Sequence, residues 1–314
     1  MILGDTFQAL FQTLLGKQFA RSSVILGITG TCLLPLCLLK DLASLAPFSL
    51  LGIIGMIYTT FAMALRYFSP FYKLPDGALL ADVATHLQPS FGSIGASGIT
   101  SPNAFILICM LSTAFIAHFN APKFYTELKD NTIKRFNTLV YSSFAVSISI
   151  FASVASLGFL TFGQASSGLI LNNYSTKDMI MTISRIAVAT SLIFSYPLAF
   201  TGARDGILDL ANVPPSDRSN SLLNKVTFGA LAAVTAIALN IKDLTFLLSF
   251  GGATLGNALI YIFPAFMFRG AVNKMKDETK AKGLKKEVGF SLLLAAVGAI
   301  MGGIGTRMAI GTLN

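Results

Sequence analysis

The sequence predicts an all-α polytopic membrane protein, and three observations carry that prediction. Of the 314 residues, 54% are hydrophobic and only 12% are charged, whereas soluble domains carry about 25% charged residues. The apolar residues fall in blocks of about 20, the length that crosses a hydrocarbon core roughly 30 Å thick. Basic residues collect in alternate connections between those blocks, as the positive-inside rule requires. A β-barrel would show alternating segments of about 10 residues, and the sequence has none.

In chain order, residues 1–16 are apolar from the first position but lack a basic leader and a small-residue cleavage site. They read as the second half of a helix rather than as a signal peptide. Full spans are predicted at about 22–39, 46–66, 103–120, 138–163, 180–203, 224–240, 243–266 and 288–312. Connections after 40, 120, 203 and 268 hold most of the lysines and arginines, which assigns them to the cytoplasmic side. The segment 67–102 then lies outside or in a lumen, and 269–287 is a basic cytosolic loop suited to anionic lipid. Asn173-Tyr174-Ser175 is a sequon on the outer side, so Asn173 is a glycosylation candidate.

Several function classes drop out. The net charge of +9 is accounted for by the loop bias, so nucleic-acid binding is not expected. Cys32, Cys37 and Cys109 lie in apolar runs without metal spacing, and the histidines number two, His86 and His118. No paired His, Asp or Cys cluster lies in or beside the spans, so the chain does not read as an enzyme.

Three stretches resemble the amino acid/auxin permease family, which includes sodium-coupled neutral and vacuolar amino acid transporters. They are "AHFNAPKFYTELKD" at 117–130, "GFLTFG" at 158–163 followed by "LILNNYS" at 169–175, and "SYPLAFTGARDGILDL" at 195–210. Their order, spacing and placement relative to the spans match that family over essentially the whole chain. The resemblance implies a LeuT-like inverted-repeat fold of eleven helices, from the end of helix three to helix eleven here. Residues 1–314 are then one amino acid transporter transmembrane domain that lacks helices one, two and part of three, an incomplete gene product by expectation. It also implies transport by alternating access, with a substrate site between broken helices one and six.

On that pattern, Ser112, Thr113 and Phe115 are the candidate substrate contacts on an unwound part of helix six. The alternative is that Ser112 and Thr113 simply bond back to the preceding turn. Thr190, Ser191 and Ser195 on helix eight are candidate ligands of a sodium ion, or small residues that let helices pack closely. His118 has the pKa class for proton coupling, or is a satisfied boundary histidine. Asn120 caps a helix restarting at Pro122, which makes the pair a hinge rather than a ligand and Asn120 a candidate gating residue. Asp5 is costly inside a span and is a candidate coupling or gating acid. Arg185 either snorkels to the interface or pairs with Asp178 or a gate carboxylate. Gly252 and Gly256 form a small-residue face on helix ten.

The function expected is secondary active transport of small, neutral L-amino acids in a plasma, vacuolar or lysosomal membrane. Sodium or protons supply the coupling, with no other cofactor. The alternative is a shortened, non-transporting membrane protein with a regulatory or partner-binding role. Beyond substrate and bilayer no partner is implied, and nothing in the sequence sets an oligomeric state.

Overall fold

The computed structural model describes residues 1–39, 46–92, 103–117, 121–241 and 243–311. Among them the chain is helical, with no strand and one isolated bridge between Ser90 and Gly163. The helices are α1 (Ile2–Leu15), α2 (Arg21–Cys37), α3 (Ala46–Phe68), α4 (Asn103–Ala114), α5 (Ala121–Glu127) and α6 (Ile133–Phe162). They continue as α7 (Met179–Leu210), α8 (Asn220–Asn240), α9 (Leu244–Asn273), α10 (Glu278–Gly283) and α11 (Lys285–Gly311). Six of these are long and apolar enough to cross a membrane: α3 from Leu50, α6, α7, α8, α9 and α11. Of the eight full spans expected, 22–39 and 103–120 appear as the shorter apolar helices Arg21–Cys37 and Ala104–Ala114. The chain is an integral, multi-pass α-helical membrane protein.

The residues form two compact units: Met1–Gly92 with Phe144–Lys242, and Ser93–Ser143 with Asp243–Asn314.

In the first unit, α3 packs along α7. Lipid tails are as apolar as leucine, so close contact between small residues, rather than apolar burial, holds such helices together. Helix α3 shows this directly. Leu50, Ile53, Ile54, Ile57, Phe61 and Leu65 form an exposed stripe at helical spacing. The opposite face brings Gly52 against Ser191 and Gly55 against Ala187, so close that a Cβ on Gly52 would lie 2.6 Å from Ser191 Oγ. Helix α1 packs on both α2 and α7. Thr13 fixes its end by donating to the Thr176 carbonyl at 2.9 Å.

Helix α7 starts at Asp178, whose carboxylate accepts from the backbone N–H groups of Ile180 (3.1 Å) and Met181 (3.4 Å). That is an N-cap, which satisfies donors the helix itself leaves open. Pro197 sits inside α7 and cannot donate to the Ile193 carbonyl, while Thr201 Oγ1 donates to the Pro197 carbonyl at 2.8 Å.

In the second unit, α4, α9 and α11 pack together. Helix α9 contains two π-helical stretches, Gly252–Gly256 and Ala258–Ile262, with Asn257 between them. Helix α11 buries a stripe of small residues, Ala295, Gly298, Gly302, Gly305 and Ala309. The expected basic loop 269–287 is narrower than the sequence indicated, because α9 runs on to Asn273 and α11 begins at Lys285, with α10 between them.

Candidate functional sites in the two units

The first unit holds a buried polar network where α3 and α7 meet the connecting loops. Arg66, at the end of α3, clamps Asp178 with both arms of its guanidinium, Nε to Oδ2 and Nη2 to Oδ1, each at 2.7 Å. The Asp178 side chain is fully buried. The Tyr72 hydroxyl donates to Asp178 Oδ2 at 3.0 Å and accepts from the Ser175 N–H at 3.0 Å. Tyr72, Phe162 and Tyr174 pack edge to face, with ring centroids 4.9–5.7 Å apart. Burial pushes both phenols above their ordinary pKa, and the neighbouring Asp178 charge pushes the same way.

Arg185 lies about two turns further along α7 and is 2% exposed. It neither snorkels nor pairs directly with Asp178, which Arg66 already occupies. Its Nη2 donates to the carbonyls of Leu171 (2.8 Å) and Tyr174 (2.7 Å), and Nη1 to that of Ser175 (3.4 Å). A guanidinium has five donors and no acceptor, so it can pin three loop carbonyls at once.

Asn173 is fully buried in the same loop. Its amide nitrogen donates to the carbonyls of Leu87 (3.0 Å) and Ala165 (2.7 Å), and its oxygen accepts from Ser167 N–H at 2.8 Å. A glycan on that nitrogen and this packing exclude each other, so the folded chain corrects the glycosylation expectation.

A cavity of about 320 Å³ lies between α1, α7 and these loops, lined by Asp5, Gln8 and Gln12 on one side and Arg185 with loop residues on the other. Asp5 is paired: its Oδ1 accepts from Arg21 Nε at 2.7 Å, with both side chains about a quarter exposed.

The structure does not gather Thr190, Ser191 and Ser195 around one point. Ser191 faces Gly52 of α3, Ser195 is exposed with its hydroxyl 3.4 Å from its own helix's Leu192 carbonyl, and Thr190 is half-buried. At the far end of α7, Arg204 donates to the Cys37 carbonyl and the Thr227 hydroxyl, both at 3.3 Å.

In the second unit, α4 stays helical through Ser112 and Thr113 and ends at Ala114, after which Phe115, Ile116 and Ala117 leave the helix. Of the stretch 112–117 expected to be unwound, Ser112–Ala114 is helical and 115–117 is not. Both hydroxyls bond back to their own helix, Ser112 to Ile108 O at 2.9 Å and Thr113 to Cys109 O at 3.2 Å. Thr113 Oγ1 also lies against Gly252: a Cβ there would come within 2.4 Å of it, and within 2.0 Å of the Cys109 carbonyl. His118 and Asn120 lie outside the described residues.

Sequence reasoning missed the Arg66–Asp178–Tyr72 network, although an aspartate directly before an apolar run is a helix-start signal. It also missed Gln8 and Gln12, which share the Asp5 face of α1 at helical spacing. Asn257 was missed as well. It is 1% exposed, and its amide oxygen and nitrogen take no hydrogen bond among the described residues. Isolated polar residues in apolar runs mark such positions without saying which partner they have.

The end of α4 before 115–117, the π-distorted α9 and the buried polar network at the start of α7 set this chain apart from a bundle of plain anchor helices. Residues 1–310 match the family described as transmembrane amino acid transporter protein, and the chain belongs to that family. It is 27% identical to the mouse (Mus musculus) protein named "Putative sodium-coupled neutral amino acid transporter 11", over 99% of this chain and 64% of the relative. It is 25% identical to mouse "Sodium-coupled neutral amino acid transporter 7", over 88% of this chain and 58% of the relative. It is also 25% identical to "Amino acid transporter AVT6E" of Arabidopsis thaliana, over 91% of this chain and 58% of the relative. The chain thus spans less than two thirds of the length of these relatives.

Proposed function

We propose that this chain carries out secondary active transport of small, neutral L-amino acids by alternating access. The observation that carries the reading is family membership over residues 1–310, in a chain whose α4 ends at Ala114 and leaves 115–117 non-helical. An interrupted helix at membrane depth exposes N–H and C=O groups that are tolerated only where they are buried in protein or line a cavity. Such groups bind the carboxylate and amine of an amino acid. Ser112 and Thr113 then position the break, and the backbone at 115–117 and the Phe115 ring meet the substrate.

Coupling to sodium is favoured over protons by the names of the mouse relatives. The carbonyl of Ile193, left without its usual donor by Pro197, is a sodium ligand in this reading, while Thr190 and Ser195 do not converge on one point with it. Ser191 takes the role of a packing contact on Gly52. The test is uptake of labelled L-alanine into proteoliposomes holding the 314-residue chain, with and without a sodium gradient at fixed pH. Sodium-dependent accumulation is expected. Accumulation that follows only a proton gradient would refute the coupling, and no accumulation under either gradient would refute transport by this chain.

A further inference from the structure

We propose that the connection between α9 and α11, residues 274–284 together with Lys285 and Lys286, is a docking surface for anionic phospholipid. This surface serves the bilayer rather than the transported solute, and it stands apart from the transport reading.

Helix α9 ends at Asn273 and α11 begins at Lys285. Both are long and apolar enough to cross a membrane, and their adjoining parts pack together. The short connection between them is therefore held at the membrane face. Its basic excess assigns it to the cytoplasmic side, where the leaflet carries the anionic lipids.

The charge here exceeds what orientation requires. Around the connection between α7 and α8, Arg204, Arg218 and Lys225 meet Asp205, Asp209 and Asp217, and Arg218 pairs with both Asp205 and Asp209. Residues 274–287 instead set six lysines against three acids. Asp277 is already engaged: Oδ1 accepts from the N–H groups of Thr279 (3.1 Å) and Lys280 (3.2 Å), and Oδ2 lies 3.7 Å from Lys280 Nζ. Lys274, Lys276, Lys285 and Lys286 are exposed and form no ion pair among the described residues. They bracket α10 at the adjoining ends of α9 and α11. An ammonium has three donors and no acceptor, which suits phosphate and carboxylate oxygens, and about 4–8 basic residues beside a span mark anionic-lipid binding.

Apolar side chains lie among these charges. Met275 is exposed between Lys274 and Lys276, Phe266 and Met267 are exposed near the end of α9, and Phe290 is exposed near the start of α11. Ammonium groups on long apolar stems reach headgroup level while the stems stay in the apolar layer. The surface thus offers a phospholipid both parts of its chemistry, which a soluble anion does not use.

The experiment uses the full chain in lipid nanodiscs. The chain has no tryptophan, so Met275→Trp gives a unique fluorophore at an exposed position and leaves every lysine in place. Discs hold phosphatidylserine and phosphatidylcholine at one fixed ratio, with bromine on the acyl chains of one lipid or the other. Per mole of brominated lipid, quenching by phosphatidylserine should exceed that by phosphatidylcholine about threefold or more. Salt at about 1 M, where the Debye length falls to about 3 Å, should reduce the preference. Replacing Lys274, Lys276, Lys285 and Lys286 by Gln should abolish it while quenching by phosphatidylcholine persists. If that variant fails to insert, Lys285→Gln with Lys286→Gln should cut the preference by about half. Soluble glycerophosphoserine should leave the preference standing. Equal quenching by the two lipids, no quenching by either, or a preference untouched by the inserted lysine variant overturns the proposal. Loss of the preference to glycerophosphoserine overturns the assignment to lipid.

Discussion

Replacing Asp178 by alanine tests whether the buried network holds the loops onto the start of α7. The carboxylate does three jobs in the structure: it accepts both arms of Arg66 at 2.7 Å, one hydrogen bond from Tyr72, and two from the first turn of α7. Loss of an N-cap costs about 1 kcal/mol. Stranding one member of a buried ion pair costs about 3–5 kcal/mol. Arg66 keeps 12% of its side-chain exposure and stacks on Phe71 at 4.5 Å, so the lower end of that range applies. The total expected for Asp178→Ala is about 3–4 kcal/mol. Asp178→Asn keeps part of the cap and one neutral bond, and should cost about half as much. Thermal unfolding in detergent can be followed with a thiol-reactive fluorogenic dye, since Cys37 and Cys109 are fully buried. A cycle with Arg66→Ala should return a coupling of about 1–3 kcal/mol. If Asp178→Ala unfolds within about 1 kcal/mol of the unaltered chain, or the cycle shows no coupling, the network is incidental and the reasoning fails.

Other consequences can be checked alongside. Gly252→Ala puts a Cβ 2.0 Å from the Cys109 carbonyl, a backbone atom that cannot rotate away. It should cost about 3 kcal/mol or more by overpacking, seen as loss of monodisperse protein, while alanine at Gly251, which faces open space, should be tolerated. Asn173→Ala strands two carbonyls and one N–H in a buried loop, at about 1–3 kcal/mol for each unsatisfied group. Any molecules glycosylated at Asn173 should separate from the folded fraction on size exclusion. Tyr72 and Tyr174 keep their protons in the folded state at pH values where an unfolded tyrosine, near pKa 10, has lost its own. The unfolded chain then binds fewer protons at these two sites, so their contribution to stability is constant below about pH 10 and is lost above it. Unfolding temperatures measured from pH 8 to 11.5 should show the drop, with a shallower slope in Tyr72→Phe.

The spans were legible because membrane depth imposes one period and one length on the sequence, and α3, α6, α7, α8, α9 and α11 obey both. The connection between Arg66 and Asp178, 112 residues apart, could not be read the same way, since no local pattern records which distant acid meets which base. Asp5 shows the limit from the other side. Its cost inside a span signals a partner, but Arg21 became that partner only because the chain turns at Gly16, in left-handed backbone, and brings α2 back along α1. The same limit explains Ser112, Thr113 and Ser191. A small hydroxyl residue in an apolar helix is equally suited to bind an ion, satisfy its own backbone or admit a neighbouring glycine. Which use prevails depends on what the neighbour offers: Gly52 faces Ser191 and Gly252 faces Thr113. These hydroxyls sit where two helices come closest, so their mutation will read first as lost packing. Assigning any of them to substrate or ion therefore requires a binding measurement that separates affinity from stability.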